Sequence, residues 1–325
     1  MTTRHILLCY RNRLHPALHR ELVKLGLELR DCRDWHEIPD SDRSMILGCF
    51  IWFYDCIRHP INTLRLKRFL RQNGIPLFAW NQDAPHYLNR AKWRLDWLNS
   101  VRLLDVYATH TLADTTRSFA DLQLYLPNAA DTLHYHLNGK ALVDLRNPDI
   151  YEYDVSFFGA MNGEKHKEMR NRQAFFSALA TRLSEAGIRY HFCEAQGMTT
   201  DEQIAMIQRS RINLNFGASC EFGFTTGSGL PERCYGIPAV GGFLLCDKRT
   251  HAMDDFSVGK NWAEFDGLDD CVEKIKYWLV NFDQARLLAE RCFAHVVTTH
   301  TYAQRAEELR ATLVSWHAGK RGLIR

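Results

Sequence analysis

Short unbroken apolar runs alternate with amphipathic stretches along the whole 325-residue chain. The runs at 5–10, 45–54, 75–80, 104–109 and 122–126 predict strands, and the stretches near 15–25, 61–72, 91–98 and 112–120 predict helices between them. After a polar segment at 138–153 the rhythm restarts. Strands are predicted at 154–158, 188–193, 212–216 and 242–246, with helices near 168–186, 200–210, 231–235, 268–280, 283–297 and 301–316. Apolar strands separated by helices are what a parallel sheet covered on both faces requires. The expected fold class is therefore α/β, with two Rossmann-like doubly wound parallel-sheet domains facing a central cleft. The expected boundaries are 1–145 and 146–325. Ligands of such sheets bind at the carboxyl ends of the strands, which directs attention to the loops there. Trp93 and Trp97, four residues apart, are predicted to bury against the core.

Composition narrows the classes. Hydrophobic residues make up 46% of the chain and charged residues 24%, which excludes disordered, collagenous and coiled-coil proteins. No apolar stretch reaches the roughly 18–20 residues that span a bilayer. The strand-like run His5–Tyr10 follows Arg4 without a small-residue cleavage site, so it reads as the start of a fold rather than a signal peptide. A soluble, cytoplasmic protein is expected. The net charge is +3, divided as +4 over residues 1–150 and −1 over 151–325, too even for a nucleic-acid partner. None of the ten cysteines forms a C-x-x-C pair, and reduced thiols acting as small hydrophobes are expected. Arg58, Arg65, Lys67, Arg68 and Arg71 gather on or beside one helix. The favoured reading is a solvated face over a core stripe, and the other is weak peripheral contact with an anionic membrane surface.

Three loops carry candidate chemistry. In Thr225–Gly236, Gly227 and Gly229 flank Ser228, and Pro231 is suited to the first turn of a helix. Amides at that helix start suit an anion, Arg233 offers a two-pronged partner for phosphate, and Glu232 can accept hydrogen bonds from sugar hydroxyls. A plain capped turn is the competing reading. The loop after the strand at 154–158 supplies Gly159, Asn162, Gly163 and Lys165 as further phosphate-binding candidates, against a merely solvated loop. It lacks G-x-G-x-x-G, which argues against an ordinary NAD site. In the first half, Asp83 and His86 follow a predicted strand and are candidates to take a proton from an attacking hydroxyl. Asp55 and His59 form a similar but weaker pair.

The segment Pro231–Leu245, with Phe256, Gly259, Ile275–Leu279 and His300–Arg305, resembles the C-terminal domain of CgeB-like group 1 glycosyltransferases. Asp154–Gly159, Ser210–Phe216, Asp83–Pro85 and Leu126–Asp131 fit the same pattern in the expected order. The resemblance implies a GT-B fold, with an acceptor on the N-terminal domain and a nucleotide-diphosphate sugar such as a UDP-sugar on the C-terminal one. It also implies a last helix, about 301–316, packed back on the N-terminal domain. The implied activity is sugar transfer of the hexosyltransferase type to a hydroxyl of a glycan, a lipid-linked molecule or a small molecule. No cofactor or metal is implied, because helix N-termini and basic side chains neutralise the leaving diphosphate. Loop 227–233 would hold the donor pyrophosphate, and Arg233 would meet its charge. One position departs from the pattern. Many relatives carry Arg-x-Phe-Glu, with the Glu on the donor ribose, where this chain has Arg233-Cys-Tyr-Gly236. Glu232 or Glu221 is the candidate substitute. The competing functions are a non-catalytic sugar-nucleotide-binding or assembly protein of the same fold, and a nucleotide-sugar epimerase.

Overall fold

The computed structural model describes residues 5–82, 92–111, 119–164, 169–217 and 227–322. The chain divides into two compact units, Met1–Pro127 with Tyr302–Arg325, and Asn128–Thr301.

In the first unit, β1 (Ile6–Cys9), β2 (Glu28–Asp31), β3 (Ile46–Phe50), β4 (Leu77–Asn81), β5 (Leu104–Thr109) and β6 (Ala120–Tyr125) form one sheet ordered β2-β1-β3-β4-β5-β6. Every pairing is parallel. The described helices are α1 (Pro16–Lys24), α2 (Asp40–Arg43), α3 (Phe53–Arg58), α4 (Pro60–Gln72), α5 (Lys92–Val101) and, from the far end of the chain, α12 (Tyr302–Gly322). Leu66 and Leu70 of α4 and Leu95 and Leu98 of α5 pack with β-strand residues in one apolar core. On the other face α12 lies against β3: a Cβ at Gly48 would stand 3.3 Å from Leu313, and His317 Nε2 lies 2.8 Å from the Leu47 carbonyl. Because the chain leaves β1 for β2 on one side and returns to β3 on the other, the strand order reverses between β1 and β3.

The second unit contains β7 (Tyr153–Phe158), β8 (Tyr190–Cys193), β9 (Ser210–Asn215), β10 (Leu244–Asp247) and β11 (Ala263–Phe265), all parallel, in the order β11-β10-β9-β7-β8. Its helices are α6 (Arg170–Glu185), α7 (Thr200–Gln208), α8 (Arg233–Ala239), α9 (Ala252–Asp255), α10 (Gly267–Val280) and α11 (Phe282–Thr299). One core holds Ile204, Ile207, Tyr235 and Ile237, and another holds Phe176, Leu179, Ile275 and Leu288. Apolar packing on both faces is the doubly wound arrangement. The reversal here falls between β7 and β9.

Several expectations shift. The apolar run 45–54 is not one strand: β3 ends at Phe50, and α3 begins at Phe53, still buried. Trp93 is 67% exposed, with the Arg94 guanidinium 5.1 Å from its ring centroid, so an aromatic at helical spacing is here a surface residue, while Trp97 is half-buried against the core. The polar stretch 138–153 is anchored by buried Leu145 and Tyr151, whose hydroxyl donates to the Leu145 carbonyl, and by a two-pronged Arg146–Glu290 pair at 2.6 and 2.7 Å. Residues 128–145 therefore fold with the second unit. The described part of α4 matches the solvated-face reading: Leu66 and Leu70 are buried while Arg65 and Arg71 are exposed. Among the described residues no helix is long and apolar enough to cross a membrane. The nine cysteines described are free thiols, eight of them buried.

Candidate active site

The second unit's strand-order reversal is built from arginines that the fold holds in place. Arg172, on α6 and buried, donates from Nε to the Phe216 carbonyl at 2.9 Å, from Nη1 to Ala160 at 2.9 Å and from Nη2 to Gly217 at 2.8 Å. One guanidinium thus ties the loop after β7 to the loop after β9. Asp247, at the end of β10, accepts from Asn215 Nδ2 at 2.7 Å, from the Gly217 amide at 3.0 Å and from Arg249 Nη1 at 2.8 Å. These three residues were not singled out from the sequence. Their partners are distant along the chain, and the one local signal is an Asp at a strand end with an Arg two residues later.

Arg233 stands at the first turn of α8. Its Nη1 donates to the Phe158 carbonyl at 2.9 Å, and its guanidinium lies 4.7 Å from the Phe157 ring centroid. A Cβ on Gly159 would fall 2.6 Å from Arg233 Nη2 and 2.9 Å from Nη1. Gly159 is therefore required by the close approach of the guanidinium to the backbone. Desolvation pulls the Arg233 pKa below the usual arginine value, yet arginine starts so high that it remains a cation at neutral pH.

Arg233 lines a cavity of about 240 Å³ together with Glu232, Gly236, Asp131, Tyr135 and Gln203. The Tyr135 hydroxyl donates to Gln203 Oε1 at 2.6 Å, and burial raises its pKa, so it stays protonated. A side chain at 236 would start 3.7–3.9 Å from the Tyr135 ring. With glycine there, the cavity reaches the tyrosine. Asp131 enters through a short segment: Asn128 Nδ2 donates to the Leu230 carbonyl at 2.8 Å and the Ala130 amide to His300 at 2.8 Å.

Other sequence candidates are placed differently. Gly227, Ser228 and Gly229 are buried, and their carbonyls accept from the Thr250 amide at 3.0 Å, the His251 amide at 3.1 Å and Arg249 Nε at 2.6 Å. A Cβ on Gly227 would fall 2.5 Å from Arg249 Nη1, so the space this glycine leaves is filled by the protein's own arginine. The Gly163 amide donates to Gln173 Oε1 at 3.0 Å, and Asn162 Oδ1 accepts from the Glu164 amide at 3.1 Å. Asn162 borders a second, open depression with Met161, Gln173 and Glu194. Asp83, His86, Lys165 and Glu221 lie outside the described residues. Within the second unit, then, Glu232 and Arg233 share one cavity, with Gly159 against Arg233.

Residues 168–311 match the family model described as Glycosyl transferase-like. No curated protein matches the chain in sequence. Among solved structures, sucrose-phosphate synthase from Thermosynechococcus elongatus is similar at a TM-score of 0.62 and 10% identity, over 97% of this chain and 100% of that one. Anabaena HepE in complex with UDP and glucose is similar at a TM-score of 0.60 and 11% identity, over 96% and 100% of the two chains. For α,α-trehalose 6-phosphate synthase from Burkholderia multivorans the TM-score is 0.56 at 10% identity, over 95% and 80%. Two parallel-sheet α/β units, each with its strand order reversed beside its first strand, together with these likenesses across nearly the full chain, give the fold its class: it is GT-B.

Proposed function

We propose that the protein is a glycosyltransferase that moves a sugar from a nucleotide-diphosphate sugar, with UDP as the nucleotide, to a hydroxyl acceptor. The observation that carries this reading is Arg233, held by the Phe158 carbonyl and the glycine at 159 so that it lines a cavity also lined by Glu232. A guanidinium beside hydrogen-bond acceptors suits a diphosphate next to sugar hydroxyls. The Glycosyl transferase-like match across 168–311 and the likeness to HepE, a protein solved with UDP and glucose, support the same reading.

In the reaction, the acceptor oxygen bonds to the anomeric carbon as the bond from that carbon to the diphosphate oxygen breaks. The electron pair leaves with the diphosphate, whose growing charge Arg233 stabilises without a metal ion. The acceptor's proton passes to Asp83 or His86. Asp83→Asn should reduce turnover at least about 100-fold, the lower range for a positioned general base, while leaving UDP affinity within twofold. Full activity in that variant, measured by UDP release, removes Asp83 from the mechanism.

Gly159→Ala tests the cradle. The added methyl displaces the Arg233 guanidinium and should weaken UDP binding about tenfold in calorimetry, the order expected when one charge-assisted contact is lost. An unchanged affinity would show that Arg233 does not need its present position. The replacement of the expected ribose-binding Glu by Gly236 favours a second reading, sugar-nucleotide binding without turnover. Release of free sugar from UDP-glucose in the absence of acceptor separates the two, since a pure binder leaves the donor intact. An epimerase is separated in the same assay by its altered donor.

A further inference from the structure

The first unit has its own strand-order reversal, between β1 and β3, and the residues leaving those two strands share an unusual chemistry. Arg11 and Arg13 follow β1; Trp52, Asp55 and Arg58 follow β3. The Asp55 carboxylate is 1% exposed, and neither oxygen forms a hydrogen bond among the described residues. Its nearest cations are Arg11 Nη1 and Arg13 Nη1, both at 3.8 Å, too long for hydrogen bonds but close enough to draw both guanidinium groups together. Arg13 and Arg58 also lie over the same indole, with guanidinium carbons 4.9 and 5.2 Å from the Trp52 centroid. Arg11 is held at φ 60°, a left-handed conformation that ordinary side chains avoid, which is the kind of strain found at functional sites.

Among the described residues, Asp55 is the single carboxylate within ion-pair distance of Arg11 and Arg13, and Arg58 has none. Two guanidinium groups therefore face one buried carboxylate, and the third, Arg58, shares the Trp52 ring with one of them, so three positive charges gather around a single negative one. None of the three donates a hydrogen bond within the described structure, while all three reach solvent. Fork-shaped donors held by a tryptophan and a buried counter-ion, at the place where a doubly wound sheet takes its ligand, suit a doubly charged tetrahedral oxyanion.

We propose that Arg11, Arg13 and Arg58 form a binding site for a phosphate monoester carried by a soluble acceptor sugar. The assignment of that ligand to the acceptor rests on the glycosyltransferase reading; the anion site does not. Asp55 is a positioning residue, because its burial keeps it from the ligand while its charge gathers the two arginines of the β1 loop.

Calorimetric titration with inorganic phosphate, glucose 6-phosphate and glucose tests the site, using the Arg233→Ala background so that anion binding in the second unit does not contribute. Both phosphate-bearing probes should bind and glucose should not. Adding Arg13→Gln and Arg58→Gln should weaken the phosphate probes at least tenfold, and the single variants less. These side chains are exposed or half-exposed, so an unchanged melting temperature serves as the folding control. If neither probe binds at 10 mM, or the double substitution changes affinity less than threefold, the proposal is wrong. Phosphate binding without any UDP binding by the wild-type protein would keep the anion site and overturn the glycosyltransferase reading instead.

Discussion

Arg233→Ala is expected to weaken UDP binding roughly 30- to 150-fold, the equivalent of the 2–3 kcal/mol lost when a charged hydrogen-bonding partner is removed. The expectation follows from where the side chain's donors go. One N–H is spent on the Phe158 carbonyl, and the Phe157 ring lies beneath the plane. The group is thus fixed before any ligand arrives, which reduces the entropy lost on binding. Partial desolvation strengthens its attraction for an anion. Arg233→Lys keeps the charge and loses the fork, so it should fall between wild type and the alanine variant. Calorimetry with UDP reads the series. Equal affinities for all three proteins would remove Arg233 from the donor site. The control is the melting temperature without ligand: a large fall would attribute the loss to folding rather than to the contact.

The second large effect is on stability. Arg249 has a fully buried side chain that bonds Asp247 at 2.8 Å and the Gly229 carbonyl at 2.6 Å. Arg249→Met leaves Asp247 with its charge uncompensated by that partner. Breaking a buried pair in this way costs about 3–5 kcal/mol, which for a unit of this size lowers the melting temperature by roughly 6–20 °C. Asp247→Asn should be costly as well, since the buried Arg249 then loses that carboxylate. The double variant should lose less than the sum of the two, because the pair is removed together. Thermal and urea unfolding of the four proteins gives the coupling energy. Additive losses would mean that the two groups do not depend on each other.

The contrast between these two arginines shows what the sequence discloses. Arg233 was legible because glycines, a proline and a glutamate surround it in one short segment, and Gly159 because it directly follows an apolar strand run. Both signals are local. Arg172, Asp247 and Arg249 act through carbonyls and side chains tens of residues away, and neither periodicity nor spacing records such partners. The same contacts explain why Gly227 and Gly229 look like an open phosphate loop in the sequence: a glycine reports only that something approaches closely, and here Arg249 lies against Gly227. The strands were legible wherever both faces are buried. Two short edge strands were not. β2, Glu28-Leu-Arg-Asp31, has no fully buried residue and no apolar run, and β11 has three residues. The departure of residues 128–145 from the expected first domain has a similar cause. Asn128, Ala130 and Tyr135 reach distant partners in the second unit through single polar contacts that composition cannot reveal.

The central claim is that the second unit holds a nucleotide-diphosphate sugar. Its most direct test is the melting temperature of the wild-type protein with UDP, GDP, ADP and UDP-glucose, in the presence of EDTA. A ligand bound only to the native state at 100 times its Kd adds about 2.7 kcal/mol of stability. The account predicts such a rise for UDP and for UDP-glucose, cut to less than about 1 kcal/mol in Arg233→Ala at the same ligand concentration. No rise with any of the four ligands would contradict it.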